Sequence, residues 1–190
     1  MNSFEHFACS SSVWRYFSEH HLLPWVFEGQ KVGEHALEIG AGYGAGARFL
    51  RTRAKRVTAL EYDMRSAAKM RLKLRDAGVE IVCGDGGQLP FEAERFSCAS
   101  LILVLHHLKS VQLQDRMLGE VMRVLRPGGA LVGFEIVDSR MNRIGHIGST
   151  FTPLTAKAAF ERLTAAGFAR VSVNVRGGAF RFSGAKAPGK

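Results

Sequence analysis

Glu38 closes the apolar run that begins at His35, and glycine then takes every second position at Gly40, Gly42 and Gly44. Glycines so placed let the backbone turn where other residues cannot, and let a ligand approach it closely. The next stretch, Ala45 to Arg53, reads as a helix whose first N–H groups would face something electron-rich. Gly40-x-Gly42-x-x-Ala45 fits the dinucleotide fingerprint, and Glu61 lies 21 residues after Gly40, near the acid expected on a ribose. On the loop alone a nicotinamide dinucleotide is therefore open. Glu38 opposes it: a carboxylate just before the first glycine repels a pyrophosphate and suits a ligand with a cationic amino group and no phosphate. His106 and His107 are the candidates for acid–base work, since imidazole titrates near neutral pH. The plainer reading of that pair is the start of the next helix.

Five segments then occur in one order. Glu38-x-Gly40-x-Gly42-x-Gly44 resembles motif I of the class I S-adenosylmethionine-dependent methyltransferases, whose cofactor has the amino group and lacks phosphate. Val57 to Glu61 is similar to that family's second strand with its terminal acid. Cys83 to Phe91, with Asp85 and Leu89-Pro90-Phe91, resembles the segment after the third strand. Leu105-His106-His107-Leu108 resembles the segment after the fourth, and Arg123 to Gly129 the turn before the fifth. The matches span about residues 35 to 137 and lie nearest the small-molecule, type 11-like branch.

The resemblance implies an α/β, Rossmann-like fold with a seven-stranded, mostly parallel sheet of order 3-2-1-4-5-7-6 and a terminal antiparallel hairpin. It implies S-adenosylmethionine held by Glu38, Gly40, Ala41, Gly42, Glu61, Tyr62, Asp85, Gly86 and Leu101. Glu38 would orient the amino group, and Glu61 would accept from both ribose hydroxyls by charge-assisted bonds. Tyr62 would lie against the adenine face. Asp85 would accept from the adenine amino group beside the Gly86 N–H, and the carbonyls of Leu101 and Ile102 would touch the cofactor. Each has a structural alternative: a tight turn, a solvated acid, an Asx turn, an ordinary strand-end aromatic. Family members often carry Asp after the aromatic that opens strand four; here Ser97 follows Phe96, which touches a structural acid and leaves cofactor binding intact. His106 is the catalytic candidate, although in-line methyl transfer can run largely on positioning. The chain lacks an Asn-Pro-Pro-Tyr run, so the expected acceptor is a small molecule attacked at oxygen, carbon or an aliphatic amine, with a lipid-like one favoured by charge. The rivals are an RNA methyltransferase using the basic surface, a module that binds the cofactor without chemistry, and, more distantly, a nicotinamide oxidoreductase.

Such residues need strands to carry them. Short apolar runs at 35–39, 56–61, 79–83, 97–102 and 130–136 alternate with amphipathic helices near 44–53, 63–77, 111–125 and 153–166, which predicts a parallel sheet. Ligands then bind beyond the strand C-termini, where strands one and four diverge. Asp63 would cap a helix with Met64, Ala67, Ala68, Met70, Leu72 and Leu74 on its apolar side. Arg126-Pro127-Gly128-Gly129 would stop the helix before it sharply. Phe168, Val171, Val173 and Val175 alternate with polar residues, and after Gly177-Gly178 come Phe180 and Phe182, which predicts a hairpin. Ser11 or Ser12 would cap a helix running toward Leu23, where Pro24 redirects the chain. Trp14, Tyr16 and Trp25 either cover the cofactor or pack on the sheet. One domain, 1–190, is expected: a helical cap over 1–30 with a loosely ordered start at 1–10, a core over 35–182, and a loose basic tail over 183–190. The connection after strand five would carry no long insertion, leaving the pocket open or completed by the N-terminus or a second subunit, as in a homodimer.

Composition sets the outer bounds. The 190 residues are 46% hydrophobic and 23% charged, as in an ordinary soluble domain. No apolar run nears the ~20 residues of a membrane span, and no basic stretch followed by an apolar core marks a leader. Cys9, Cys83 and Cys98 are odd in number and far apart, which gives neither a disulfide framework nor metal-ligand spacing; a reducing, cytoplasmic setting and no metal are expected. The net charge of +9 gathers at Arg48 to Arg56 and at Arg65 to Arg75. Those residues fall on the first two helices, away from the strand C-termini, which favours solvated faces over a nucleic-acid surface.

Overall fold

The computed structural model describes residues 11–189. The expectations for residues 1–10, Cys9 and Lys190 lie outside the described residues. Seven strands form one sheet: β1 (His35–Ile39), β2 (Arg56–Glu61), β3 (Val79–Cys83), β4 (Phe96–Ile102), β5 (Leu125–Ile136), β6 (Ala169–Arg176) and β7 (Ala179–Ala185). Their order is β3-β2-β1-β4-β5-β7-β6, as expected for the methyltransferase form of the Rossmann-like fold. The first five pair in parallel, and β7 runs antiparallel to both β5 and β6. The helices are α1 (Ser12–Phe17), α2 (Leu23–Val26), α3 (Ala45–Arg51), α4 (Met64–Leu74), α5 (Val111–Val124), α6 (Arg140–Gly145) and α7 (Ala156–Ala165). Among the described residues no helix is long and apolar enough to cross a membrane.

Two apolar clusters form, one on each face of the sheet, because successive strand residues point to opposite sides. Leu37, Ile39, Leu60, Ala99, Leu101 and Leu131 meet Leu118 and Val121 of α5 and Leu163 of α7. Ala36, Val57, Ala59, Cys98 and Val132 meet Leu23 and Val26 of α2, Leu50 of α3, and Met70 and Leu74 of α4. Burial on both faces explains why the central strands read as unbroken apolar runs. Ser97 shows what replaces the family's usual acid. Its hydroxyl donates toward the carbonyls of Val32 (2.8 Å) and His35 (2.9 Å) and accepts from the His35 N–H (2.9 Å), tying β4 to the entry of β1.

Several expectations change. Pro24 does not end the first helix: a wide π-helical turn, Ser18–Leu22, precedes it and helix resumes through Val26. Proline offers no N–H to the preceding turn, and the widened turn absorbs the loss. On α4 the buried stripe is Ala67, Met70 and Leu74, spaced for one face, while Met64, Ala68 and Leu72 form a second row at spacing four that faces solvent. Leu125 to Gly129 is the bulged start of β5 and not a free turn: Leu125 pairs with Phe96, and pairing resumes at Cys98 and Ala130. The tail begins later than expected, because β7 runs to Ala185 and the Lys186 N–H then bonds the Gly129 carbonyl at 2.9 Å. The connection from β5 to α7 is also longer than expected and contains α6. Ser11 and Asp63 cap α1 and α4 as expected, accepting from Trp14 at 3.1 Å and Ser66 at 2.7 Å. Arginines of the two basic clusters bond backbone carbonyls of their own chain, Arg48 that of Lys73, Arg51 that of Ala54 and Arg71 that of Ile81.

Candidate active site

The loop after β1 is held open by its glycines. Gly40, Gly42 and Gly44 have φ of 70°, 52° and 82°, in the left-handed region. A side chain on Gly40 would also bring its Cβ within 2.7 Å of Val104 Cγ2, so the loop and the segment after β4 touch only because position 40 has none. The N–H groups of Gly40 and Ala41 both donate to the Leu60 carbonyl, at 2.9 and 3.1 Å.

Glu38 lies beneath this loop, buried. Gly46 of α3 lets the helix rest on the carboxylate, since a Cβ there would fall 1.8 Å from Oε1. Burial pushes the Glu38 pKa up to about 8; the Ala47 N–H opposes this, and the Glu61 charge adds to it. Its Oε2 is buried with no hydrogen-bond partner among the described residues. A buried polar atom left so is costly unless a ligand completes it.

Glu61 is already oriented: Oε2 accepts from the Gly42 N–H at 2.7 Å and Oε1 from the Asp63 N–H at 3.0 Å. Each carboxylate oxygen keeps a second lone pair, so this grip fixes the group without exhausting it. Asp85 accepts from the Gly87 N–H at 2.8 Å through Oδ1, the Asx-turn geometry weighed as its alternative. Gly86 is buried, and a Cβ there would come within 2.5 Å of Met117 Cε. Tyr62 is 77% exposed at the end of β2. Leu101 is enclosed within the sheet, paired with Ile39 on one side and Gly133 on the other. Beyond it Leu103 turns with a φ of 59°, rare for a leucine, and Val104 is the residue that reaches Gly40.

His106 sits in a 3₁₀ turn, Leu105–His107, beyond the end of β4. It is buried, and its Nδ1 is bonded to Glu135 Oε2. Glu135 is fully buried near the end of β5, and its Oε1 accepts from the N–H groups of Val104 (3.0 Å) and Leu105 (2.6 Å). Gln114 of α5 donates to the carbonyls of Leu105 and Thr152, both at 2.9 Å, while the Thr152 N–H bonds the His106 carbonyl at 2.8 Å. The connection after β5 thus closes over this corner and brings His146 and Phe151 to His106, with ring centroids at 5.1 and 5.7 Å. The N-terminal aromatics divide: Trp25 packs edge-on against Phe134 of the sheet, and Tyr16 is exposed. Sequence reasoning missed Glu135, Gln114 and His146. Glu135 carried a legible signal, an acid at the end of an otherwise apolar strand, as Glu38 and Glu61 are.

The sheet order, the glycine loop and the acids at the strand ends define a protein of the class I methyltransferase type. The model of the methyltransferase domain family matches residues 37–133, just over half of the sequence, and the chain belongs to that family. It is similar to a demethylmenaquinone methyltransferase of Thermobifida fusca, 33% identical over 103 residues, which cover 53% of this chain and 42% of that protein. It is also similar to a fatty-acid O-methyltransferase of Mycolicibacterium smegmatis, 40% identical over 99 residues, covering 51% of this chain and 35% of that one. The chain therefore spans less than half the length of these relatives. In fold it resembles the N-methyltransferase NodS from Bradyrhizobium japonicum, solved with S-adenosylhomocysteine, with a TM-score of 0.72, 18% identity, and coverage of 97% and 93% of the two chains.

Proposed function

We propose that this chain is an S-adenosylmethionine-dependent methyltransferase whose acceptor is a small, lipid-like molecule. The observation that carries the cofactor is Glu38, a buried acid with an orphaned oxygen under a glycine loop. When bound, S-adenosylmethionine supplies a methyl group on a sulfonium, open to in-line attack. Glu38 meets the amino group. The Gly40–Gly42 backbone lies along the cofactor, with Gly42 fixed by Glu61. The remaining lone pairs of Glu61 accept from the ribose hydroxyls, and Asp85 and Tyr62 flank the adenine.

On the acceptor side His106 is locked in one orientation by Glu135, a placement suited to receiving a proton from the acceptor's attacking atom. Much of the rate would come from holding donor and acceptor in line. The acceptor class is supported by the names of the relatives and by Met141, Ile144 and Ile147, which α6 and the residues after it hold exposed beside this corner. The test is calorimetric titration with S-adenosylhomocysteine, with NAD as control and Glu61→Ala as the variant, followed by turnover assays on quinol and fatty-acid acceptors. Micromolar binding of the first ligand alone, lost in the variant, is expected. Binding of NAD alone would overturn the cofactor.

A further inference from the structure

Three histidines converge beyond the ends of β4 and β5 from two segments far apart in sequence. His106 and His107 come from the 3₁₀ turn, and His146 follows α6. Their ring centroids lie 4.1 to 5.5 Å apart, and one ligand nitrogen from each lies within 4.8 Å of the others. We infer that His106, His107 and His146 form a three-histidine site for one divalent transition metal of the zinc type. Imidazole nitrogens suit such ions, and three histidines leave a fourth position for water or substrate, the arrangement of reactive zinc.

The surroundings of the rings match what metal-bound histidines need. A ligating histidine almost always gives its other ring N–H to a carboxylate or carbonyl, which fixes the tautomer and strengthens the ligand. His106 Nδ1 is bonded to the buried Glu135 carboxylate, and His146 Nδ1 donates to the Asn142 carbonyl at 2.6 Å. In His106 this leaves Nε2 as the ligand atom. The scaffold is anchored: Glu135 also holds two N–H groups of the turn, Gln114 holds a carbonyl, and Thr152 holds the carbonyl of His106 itself. In tetrahedral geometry with Zn–N near 2.05 Å the nitrogens lie about 3.3 Å apart. The nitrogens here lie within 4.8 Å of one another, so a bound ion would have to draw His107 and His146 toward the fixed ring of His106. No metal was expected from the sequence, because the third ligand lies 39 residues beyond the pair, on a connection expected to be plain.

With the ion bound, His106 acts as a ligand and not as a base, and an acceptor oxygen would bind the metal directly. This last part rests on the methyltransferase reading; the metal site does not.

The chain, stripped with chelator and dialysed, is titrated with Zn²⁺ by calorimetry and with Co²⁺ by visible absorption, in parallel with S-adenosylhomocysteine. One Zn²⁺ per chain and the strong absorption of tetrahedral Co²⁺ are expected. His146→Ala and His107→Ala should each weaken Zn²⁺ binding by more than the ~10–100-fold that a lost outer partner costs, and Glu135→Gln should fall in that range. His146→Ala, whose residue lies outside the proposed cofactor cradle, should bind S-adenosylhomocysteine as before, which separates ligand loss from unfolding. No Zn²⁺ binding by the wild type, or wild-type affinity in both histidine variants, overturns the site. Zn²⁺ binding without S-adenosylhomocysteine binding would keep the site and remove the methyltransferase reading; the reverse would do the opposite.

Discussion

Glu38 should couple cofactor binding to the release of a proton. Its carboxyl is enclosed, and burial holds its pKa up at about 8, so the free protein carries it neutral at pH 6 to 7. A cationic amino group brought to Oε2 favours the carboxylate, and the proton must leave. With a pKa of about 8 the group is ~99% protonated at pH 6 and ~91% at pH 7. An α-amino group titrating near ~7.7–8.0 remains mostly charged over that range. S-adenosylhomocysteine binding should therefore release about one proton per complex and tighten roughly ninefold from pH 6 to pH 7. Calorimetric titrations in buffers of different ionisation heat count the proton directly. Glu38→Gln should bind with no proton release and no pH slope. Release near zero in the wild type, or the same slope in the variant, would refute the reasoning. The same group has a stability signature of known sign. Its folded pKa lies above its ordinary value of 4.5, so the folded chain keeps a proton that the unfolded chain gives up. Its contribution is flat below pH 4.5, falls by about 1.4 kcal/mol per unit as pH rises toward 8, and levels off above. Urea titrations against Glu38→Gln isolate that slope.

Further outcomes follow from the same geometry. Glu61→Ala removes the support of the Gly42 N–H and, on the proposed reading, two charge-assisted bonds to the ribose, and should weaken S-adenosylhomocysteine about 100-fold by calorimetry, or about 3 kcal/mol. Glu135→Ala leaves two N–H groups and the His106 ring without their acceptor, and should lower stability to urea by about 3 kcal/mol. Gly133→Ala would place a Cβ 2.0 Å from Phe182 Cζ, its cross-strand partner, and should cost about 1–3 kcal/mol of stability in the same assay. A Gly133→Ala chain as stable as the wild type would mean that the Phe182 ring moves freely.

What the sequence made legible was whatever is local and periodic. β1 and β2 fall within their expected bounds because a strand buried on both faces must be an apolar run, while the half-exposed edge strand β3 was legible from Val79, Ile81 and Val82, and Glu38 and Glu61 stood out because an acid at a buried strand's end is conspicuous. Glu135 has the same signature, yet nothing near it in sequence pointed to its partners, which come from the turn after β4. Helix faces were legible only to the hydrophobic pattern, which could not say that Met64 and Leu72 form a solvent-facing row rather than part of the stripe of Ala67, Met70 and Leu74. Leu125 to Gly129 carries turn residues and so reads as a turn; pairing of Leu125 with Phe96 draws it into the sheet. The histidine corner was hidden because it is built by tertiary closure: His146 gains its meaning only when Gln114 and Thr152 fold the connection back onto His106.

The position of β7 has a consequence for how the chain is made. It is the last strand in sequence but the second from the edge in space, wedged between β5 and β6. Until residues 179–185 have been synthesised, β5 has one open edge and β6 has nothing to pair with. Synthesis from the N-terminus therefore leaves an unfinished sheet with Gly133 uncovered, and the ring of Phe182 arrives after every other strand. A chain cut shortly before β7 would lose two strands and not one, and would expose the unpaired edge of β5, a template for joining chain to chain.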